Sequence, residues 1–133
     1  MYRAIPACFI LVAFLMGCTR DQAAYNPCPN CPVISFKRDI IPIFKTDCAT
    51  ANCHAGPLGQ DRVTLDSASA YADATKPGTG YVIPYNANYS LLYTQLIPGA
   101  TNHMPQPGGP VSQVSPCDMQ LIYCWIDQGA LNN

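Results

Sequence analysis

The chain has 133 residues, enough for one compact domain and not for two. Only 11% of the residues are charged, the net charge is −1, and all eight acidic residues are Asp, so the basic footprint of a nucleic-acid binder is absent. Thirteen Pro and nine Gly imply a loop-rich domain of short helices, which needs a staple such as disulfides, a metal or a cofactor.

Residues 1–17 carry one early positive charge at Arg3 and an apolar run from Ala7 to Met16. Such a run is too short to span a bilayer core and suits the apolar region of a secretory signal. Leu15-Met16-Gly17-Cys18 resembles a bacterial lipobox, which implies a lipoprotein signal peptide over 1–17, cleavage before Cys18 and lipid on Cys18. An ordinary signal peptide cut at a nearby small residue is the alternative. Either way the mature chain is exported, Cys8 is lost, and the remaining cysteines face an oxidising environment, where zinc sites built on thiolates are disfavoured.

Residues 18–32 read as a tether and a Cys-bearing loop, with Cys28 and Cys31, ahead of a folded domain over 33–133. In SFKRDIIPIFKTDCA, Ser35 or Asp39 can cap a helix whose inner face holds Ile40, Ile43, Phe44 and Cys48; Pro42 belongs in a first turn, so regular helix is expected from about Asp39. CATANCHAGPLG is a loop. LDSASAYADAT is helix-tolerant, with Asp66 or Ser67 as cap and KPGTG as its stop. In NYSLLYTQLI, Ser90 is the expected cap and Leu91, Leu92 and Leu96 the buried positions. PGATNHMPQPGGPVSQV is too rich in Pro to be regular. The last element is the clearest. Ser115 caps, Pro116 takes the first helical position, Asp118 completes an S-x-x-D box, Met119, Ile122 and Ile126 form an apolar stripe bordered by Leu121 and Trp125, and Gly129 ends the helix. The fold class is therefore all-α, three to five short helices on long Pro/Gly-rich loops.

Cys117 and Cys124 lie seven apart on one helix, roughly 10.5 Å between Cα atoms at 1.5 Å per residue, too far for a mutual disulfide. Each needs a partner elsewhere. The favoured arrangement joins Cys31 to Cys117 and Cys28 to Cys124; the crossed pairing serves nearly as well, and a local Cys28–Cys31 bridge is the third possibility. Cys48 and Cys53 are then set apart. They read either as a local disulfide, with His54 incidental, or as a stretched C-x4-C-H form of the haem-attachment motif, with both sulfurs alkylated by the vinyl groups and His54 as proximal iron ligand. The four residues between them are small enough for two to bulge outward. Met104, in a polar Pro-rich loop where a thioether has no packing role, is the candidate distal ligand; His103 is the alternative, and the two should not both ligate, because neighbours on an extended loop point apart.

Taken in order, SFKRDIIPIFKTDCATANCH, VTLDSASAYADA, VIPYNANYSLLY, HMPQPGG and LIYCWIDQGALNN resemble the small c-type cytochrome domain first recognised in planctomycete secreted proteins and common in lipoproteins of related bacteria. The likeness covers about residues 33–133. It implies a small, mostly helical cytochrome c-like fold with one covalent haem c per chain, held between the C-x4-C-H loop and the Met-Pro loop. Cys48 and Cys53 would be the thioether positions, His54 the proximal and Met104 the distal ligand, and Trp125 would pack near the haem edge. Members of the family often carry cysteines where Cys31 and Cys117 stand. The chain departs from the pattern at one point: the family usually has two residues between its haem cysteines.

The expectation is thus a monohaem cytochrome anchored in the cell envelope through Cys18, on the periplasmic or outer-membrane side, passing single electrons to redox partner proteins. The rival readings are an open-site haem sensor or peroxidase-like domain, and a cofactor-free, disulfide-stapled lipoprotein acting as a binding or assembly module.

Overall fold

A computed structural model describes residues 30–57, 59–66 and 68–133; the proposed signal peptide, Cys18, Cys28 and the candidate cap Ser67 lie outside them. Helix α1 runs over 36–48, α2 is Ala70–Ala74, α3 is Leu91–Thr94 and α4 is Pro116–Asp127, with single 3₁₀ turns at Gln60–Arg62 and Ala87–Tyr89. There is no strand among the described residues, and no described helix is long and apolar enough to cross a membrane.

Helix α1 begins earlier than its proline suggests. Ser35 is the cap, its hydroxyl accepting from the Arg38 N–H at 3.3 Å, while the Asp39 carboxylate reaches back to the Ser35 N–H at 2.8 Å. Arg38 grips the same carboxylate with two hydrogen bonds, which holds Asp39 below the ordinary carboxyl range. Pro42 therefore sits inside the helix and not in its first turn. It has no N–H to give, and its ring would crowd the carbonyl four residues back. The helix is widened on both sides of it: the Ile41 N–H bonds to Phe36 O and the Ala49 N–H to Phe44 O, five residues apart and not four. The face this produces buries Phe36, Ile40, Ile43 and Phe44.

Helix α4 supplies the other half of the core. Ser115 caps it by accepting from the Asp118 N–H at 3.1 Å, but Asp118 turns to the Ser115 hydroxyl, at 2.6 Å, in place of the backbone N–H that a full capping box would use. At the far end, the Gly129 N–H bonds to Ile126 O and the Ala130 N–H to Trp125 O, the paired closure that a left-handed glycine permits; Gly129 has φ +102°. Ile122, Trp125 and Ile126 are fully buried. Trp125 lies 5.2 Å from the Phe36 ring and 6.5 Å from Phe44, and Tyr71 of α2 meets Phe36 edge-on at 5.1 Å. The polar ends of this cluster are satisfied: Trp125 Nε1–H donates to Leu131 O and the Tyr71 hydroxyl to Ala130 O, both at 2.9 Å. Asn133 ties the segment after α4 to the start of α1, through the Lys37 and Phe36 N–H groups and the Ser35 hydroxyl.

A disulfide locks the same junction. Cys31 is bonded to Cys124, with 5.4 Å between Cα atoms. The favoured pairing of Cys31 with Cys117 and Cys28 with Cys124 is thus corrected: Cys31 takes Cys124. Cys124 lies on the buried face of α4, where the chain entering α1 passes, whereas Cys117 lies in its first turn; Cys117 is also disulfide-bonded. Closing a loop of 93 residues removes much chain entropy from the unfolded state, on the order of 4 kcal/mol.

Two expectations for the middle of the chain are revised. The α2 helix starts after Ser69 with no side-chain cap, and Asp66 instead accepts from the Gly56 N–H at 3.0 Å. Ser90 takes the cap position of α3 with extended backbone, as expected, but its hydroxyl makes no capping bond. Fully buried, it accepts from the Ile83 N–H at 2.8 Å and donates to Asn86 O at 2.9 Å, pinning the 83–90 loop under the core. Replacing Ser90 by Ala removes the partner of a part-buried N–H, that of Ile83, and Ser90→Ala is expected to lower stability by about 1 kcal/mol. A urea melt should show this as a lower midpoint at unchanged slope; an unchanged midpoint would remove Ser90 from the account.

Candidate functional site

The end of α1 delivers Cys48 to the rim of a cleft of about 590 Å³, a size typical of cofactor pockets. Beyond it the chain turns sharply. The Cys53 N–H bonds to Thr50 O at 3.0 Å and the His54 N–H to Cys48 O at 3.2 Å, so the four intervening residues close a compact turn that brings Cys53 and His54 back beside Cys48. Asn52 takes the left-handed conformation at φ +66°, which Asn tolerates better than most residues, and Ala51 and Asn52 are exposed. Cys48, Cys53 and His54 all line the cleft.

The following segment folds back over this turn. Gln60 N–H bonds to Cys53 O at 2.7 Å and Leu65 N–H to His54 O at 2.8 Å, gripping the motif on both sides. Between them the Val63 carbonyl lies 3.2 Å from His54 Nδ1. A carbonyl only accepts, so Nδ1 carries the proton and Nε2 is the nitrogen left with a lone pair for a metal.

Residues of α3 and of the Pro-rich loop also line the cleft. Met104 is half-buried, lines the cleft, and is anchored by its N–H to Gln95 O at 2.8 Å just beyond α3. The Met104–Pro105 peptide is cis. His103 does not line the cleft; its Nδ1 lies 3.3 Å from Pro105 O, within its own loop. Of the two candidate distal ligands, Met104 alone shares the cleft with His54. Leu91, Leu92 and Leu96, expected as buried positions, all line the cleft with Val63, Leu65 and Val114; Leu96 is buried, Leu92 is half-buried against the core, and Leu91 is exposed.

Charge is scarce here. No Asp, Glu, Lys or Arg occurs between Lys76 and Asp118, so that part of the lining carries none, and the formal charges on the lining are Asp47 and Asp61. Burial, with Asp47 and Cys53 adding to it, pushes the Cys48 thiol up to about 12.

Among the described residues, Cys48 and Cys53 are the free cysteines, while Cys31, Cys117 and Cys124 are oxidised. The local Cys48–Cys53 bridge considered from the sequence is therefore not formed. No group of three or more His, Cys, Asp or Glu side chains able to hold a bare metal ion occurs among the described residues. The donor set suits a different guest: two thiols, an imidazole and a thioether lining one apolar cleft are the donor types a covalently attached haem uses. Trp125, expected near a haem edge, is absent from the cleft lining and belongs to the aromatic core. The Val63 carbonyl escaped sequence reading, since a backbone acceptor has no residue signature.

No family model matches this chain, and no curated protein matches it. Among solved structures, the hydrazine synthase of Kuenenia stuttgartiensis is similar over 73% of this chain and 16% of its own, at 24% identity and a TM-score of 0.47. A likeness at that level transfers no chemistry.

The half-buried thiol has a direct consequence. Held up at about 12, it is almost wholly protonated at neutral pH. Cys48 of the folded, haem-free chain should therefore be alkylated by iodoacetamide far more slowly than in urea, as read by peptide mass mapping. Equal rates in the two conditions would show the thiol to be unshielded.

Proposed function

We propose that the protein is a monohaem c-type cytochrome, an exported lipoprotein that carries single electrons by outer-sphere transfer. The observation that supports this best is that Cys48, Cys53, His54 and Met104 all line one apolar cleft. That Cys48 and Cys53 stay reduced while the other described cysteines are oxidised weighs against the cofactor-free, stapled lipoprotein.

Haem, when bound, supplies a one-electron iron centre. The chain's own residues do the rest. Cys48 and Cys53 provide the thioether links. His54, its Nδ1–H committed to Val63 O, offers Nε2 to the iron. Met104 would supply a second side-chain ligand from the same cleft, and an iron held by both His54 and Met104 would favour electron transfer over catalysis on a bound substrate. A thioether ligand and a lining poor in formal charge both favour the reduced state and raise the potential. Lipid at Cys18 would hold the domain in the cell envelope, on the periplasmic or outer-membrane side, within reach of redox partner proteins; Cys18 lies outside the described residues.

The assignment of Met104 is open to a paired substitution. Met104→Ala should abolish the long-wavelength absorption of thioether-to-ferric-iron coordination, admit an exogenous ligand, and lower the midpoint potential by on the order of a hundred millivolts, a fraction of the about 0.8 V that axial ligands span. His103→Ala should leave all three unchanged. The reverse pattern would make His103 the ligand, and no response in either variant would refute an axial side chain from this loop.

A further inference from the structure

We infer that Gly59 is a positioning residue for His54: its missing Cβ is the space that lets the Val63 carbonyl close onto the imidazole Nδ1–H. The iron that benefits rests on the haem reading above, but the contact is a property of the polypeptide alone.

Glycine at position 59 is not demanded by backbone conformation. With φ −46° and ψ 151°, the residue lies outside the left-handed region that favours glycine. Gly56, by contrast, sits at φ +74° with nothing within 4 Å of where a Cβ would be; its glycine serves the turn. At Gly59 the reason is contact. A Cβ there would run into the Val63 oxygen, and would stand 3.1 Å from the Val63 carbonyl carbon and 3.3 Å from that of His54. All three atoms are backbone, so no rotamer change relieves the crowding.

The atom struck first is the one that accepts the His54 Nδ1–H. The segment has little room to retreat. Gln60 N–H is held by Cys53 O, Arg62 N–H by Gly59 O at 2.8 Å, and Leu65 N–H by His54 O. A methyl group at position 59 must therefore push the Val63 carbonyl off the imidazole or break one of these bonds. The functional meaning follows from ligand chemistry. An Nδ1–H donated to a carbonyl fixes the tautomer, fixes the ring plane, and makes Nε2 the more basic donor to a metal.

The experiment has two arms. In the haem-free chain labelled with ¹⁵N and ¹³C, His54 should be protonated at Nδ1 and show scalar coupling through the hydrogen bond to the Val63 carbonyl carbon. A ring protonated at Nε2, or one without that coupling, overturns the inference with no appeal to haem. In the haem-loaded chain carrying Met104→Ala, resonance Raman should report the ferrous iron–His54 stretch. Gly59→Ala should shift it to lower frequency, whereas Arg62→Gly, which relaxes a neighbouring residue at φ +60° and leaves the carbonyl in place, should not. An unshifted stretch in Gly59→Ala, or an equal shift in Arg62→Gly, overturns the positioning role. If Gly59→Ala fails to fold, the coupling in the unsubstituted chain still decides. If no haem is attached, the cytochrome reading fails while the tautomer measurement stands.

Discussion

The hydrogen bond between His54 Nδ1–H and the Val63 carbonyl is the contact on which the rest of the site depends. A cysteine–histidine turn with four residues between its cysteines has many conformations open to it, and only a few place both sulfurs and the imidazole on one wall. The 59–65 segment selects among them by clamping Cys53 and His54 from outside through their carbonyls and through the ring. Ordering so many loop residues costs roughly 1–2 kcal/mol each in backbone entropy. That cost has to be met by the packed core on which the loops rest.

Helix α1 links core and site. Phe36 and Phe44 enter the aromatic cluster around Trp125, while Cys48, one turn beyond Phe44, emerges at the cleft. Widening on both sides of Pro42 sets where that last turn points, so a proline that resembles a helix start instead helps to aim a cysteine. The same division recurs at α3, where Leu96 just beyond the helix is buried and Leu91 and Leu92 face the cleft. With regular elements this short, the Cys31–Cys124 bond and the lacing of Asn133 to the start of α1 do the work that longer helix contacts do in larger domains.

What the sequence made legible was chiefly local. Ser115, Pro116 and Gly129 mark the ends of α4 because caps and proline act within a few residues, and the apolar stripe of Ile122 and Ile126 follows helical period. The four cofactor candidates, Cys48, Cys53, His54 and Met104, come together in one cleft because their chemistry is unusual in this chain and could be sought by residue type. The misreadings arose where the choice between competing partners decided. Ser90 stands at the cap position, but its hydroxyl serves the Asn86 carbonyl and the Ile83 N–H of the preceding loop in place of the helix. Leu91 lines the cleft and is exposed, and Leu92 lines it while also packing against the core, and periodicity cannot tell one apolar surface from another. Helical spacing showed that Cys117 and Cys124 need outside partners, but left the choice between Cys31–Cys117 and Cys31–Cys124 to the direction in which the chain enters α1.

The central claim, that Cys48 and Cys53 hold a porphyrin between them, is tested most directly by intact mass under denaturing conditions. The chain would be expressed with and without a cytochrome c maturation system and then digested to locate the modification. Covalent attachment predicts a chain heavier by one haem only when the system is present, with the added mass on a peptide containing both Cys48 and Cys53. An unmodified mass in both preparations, or a Cys48–Cys53 disulfide on that peptide, would contradict it.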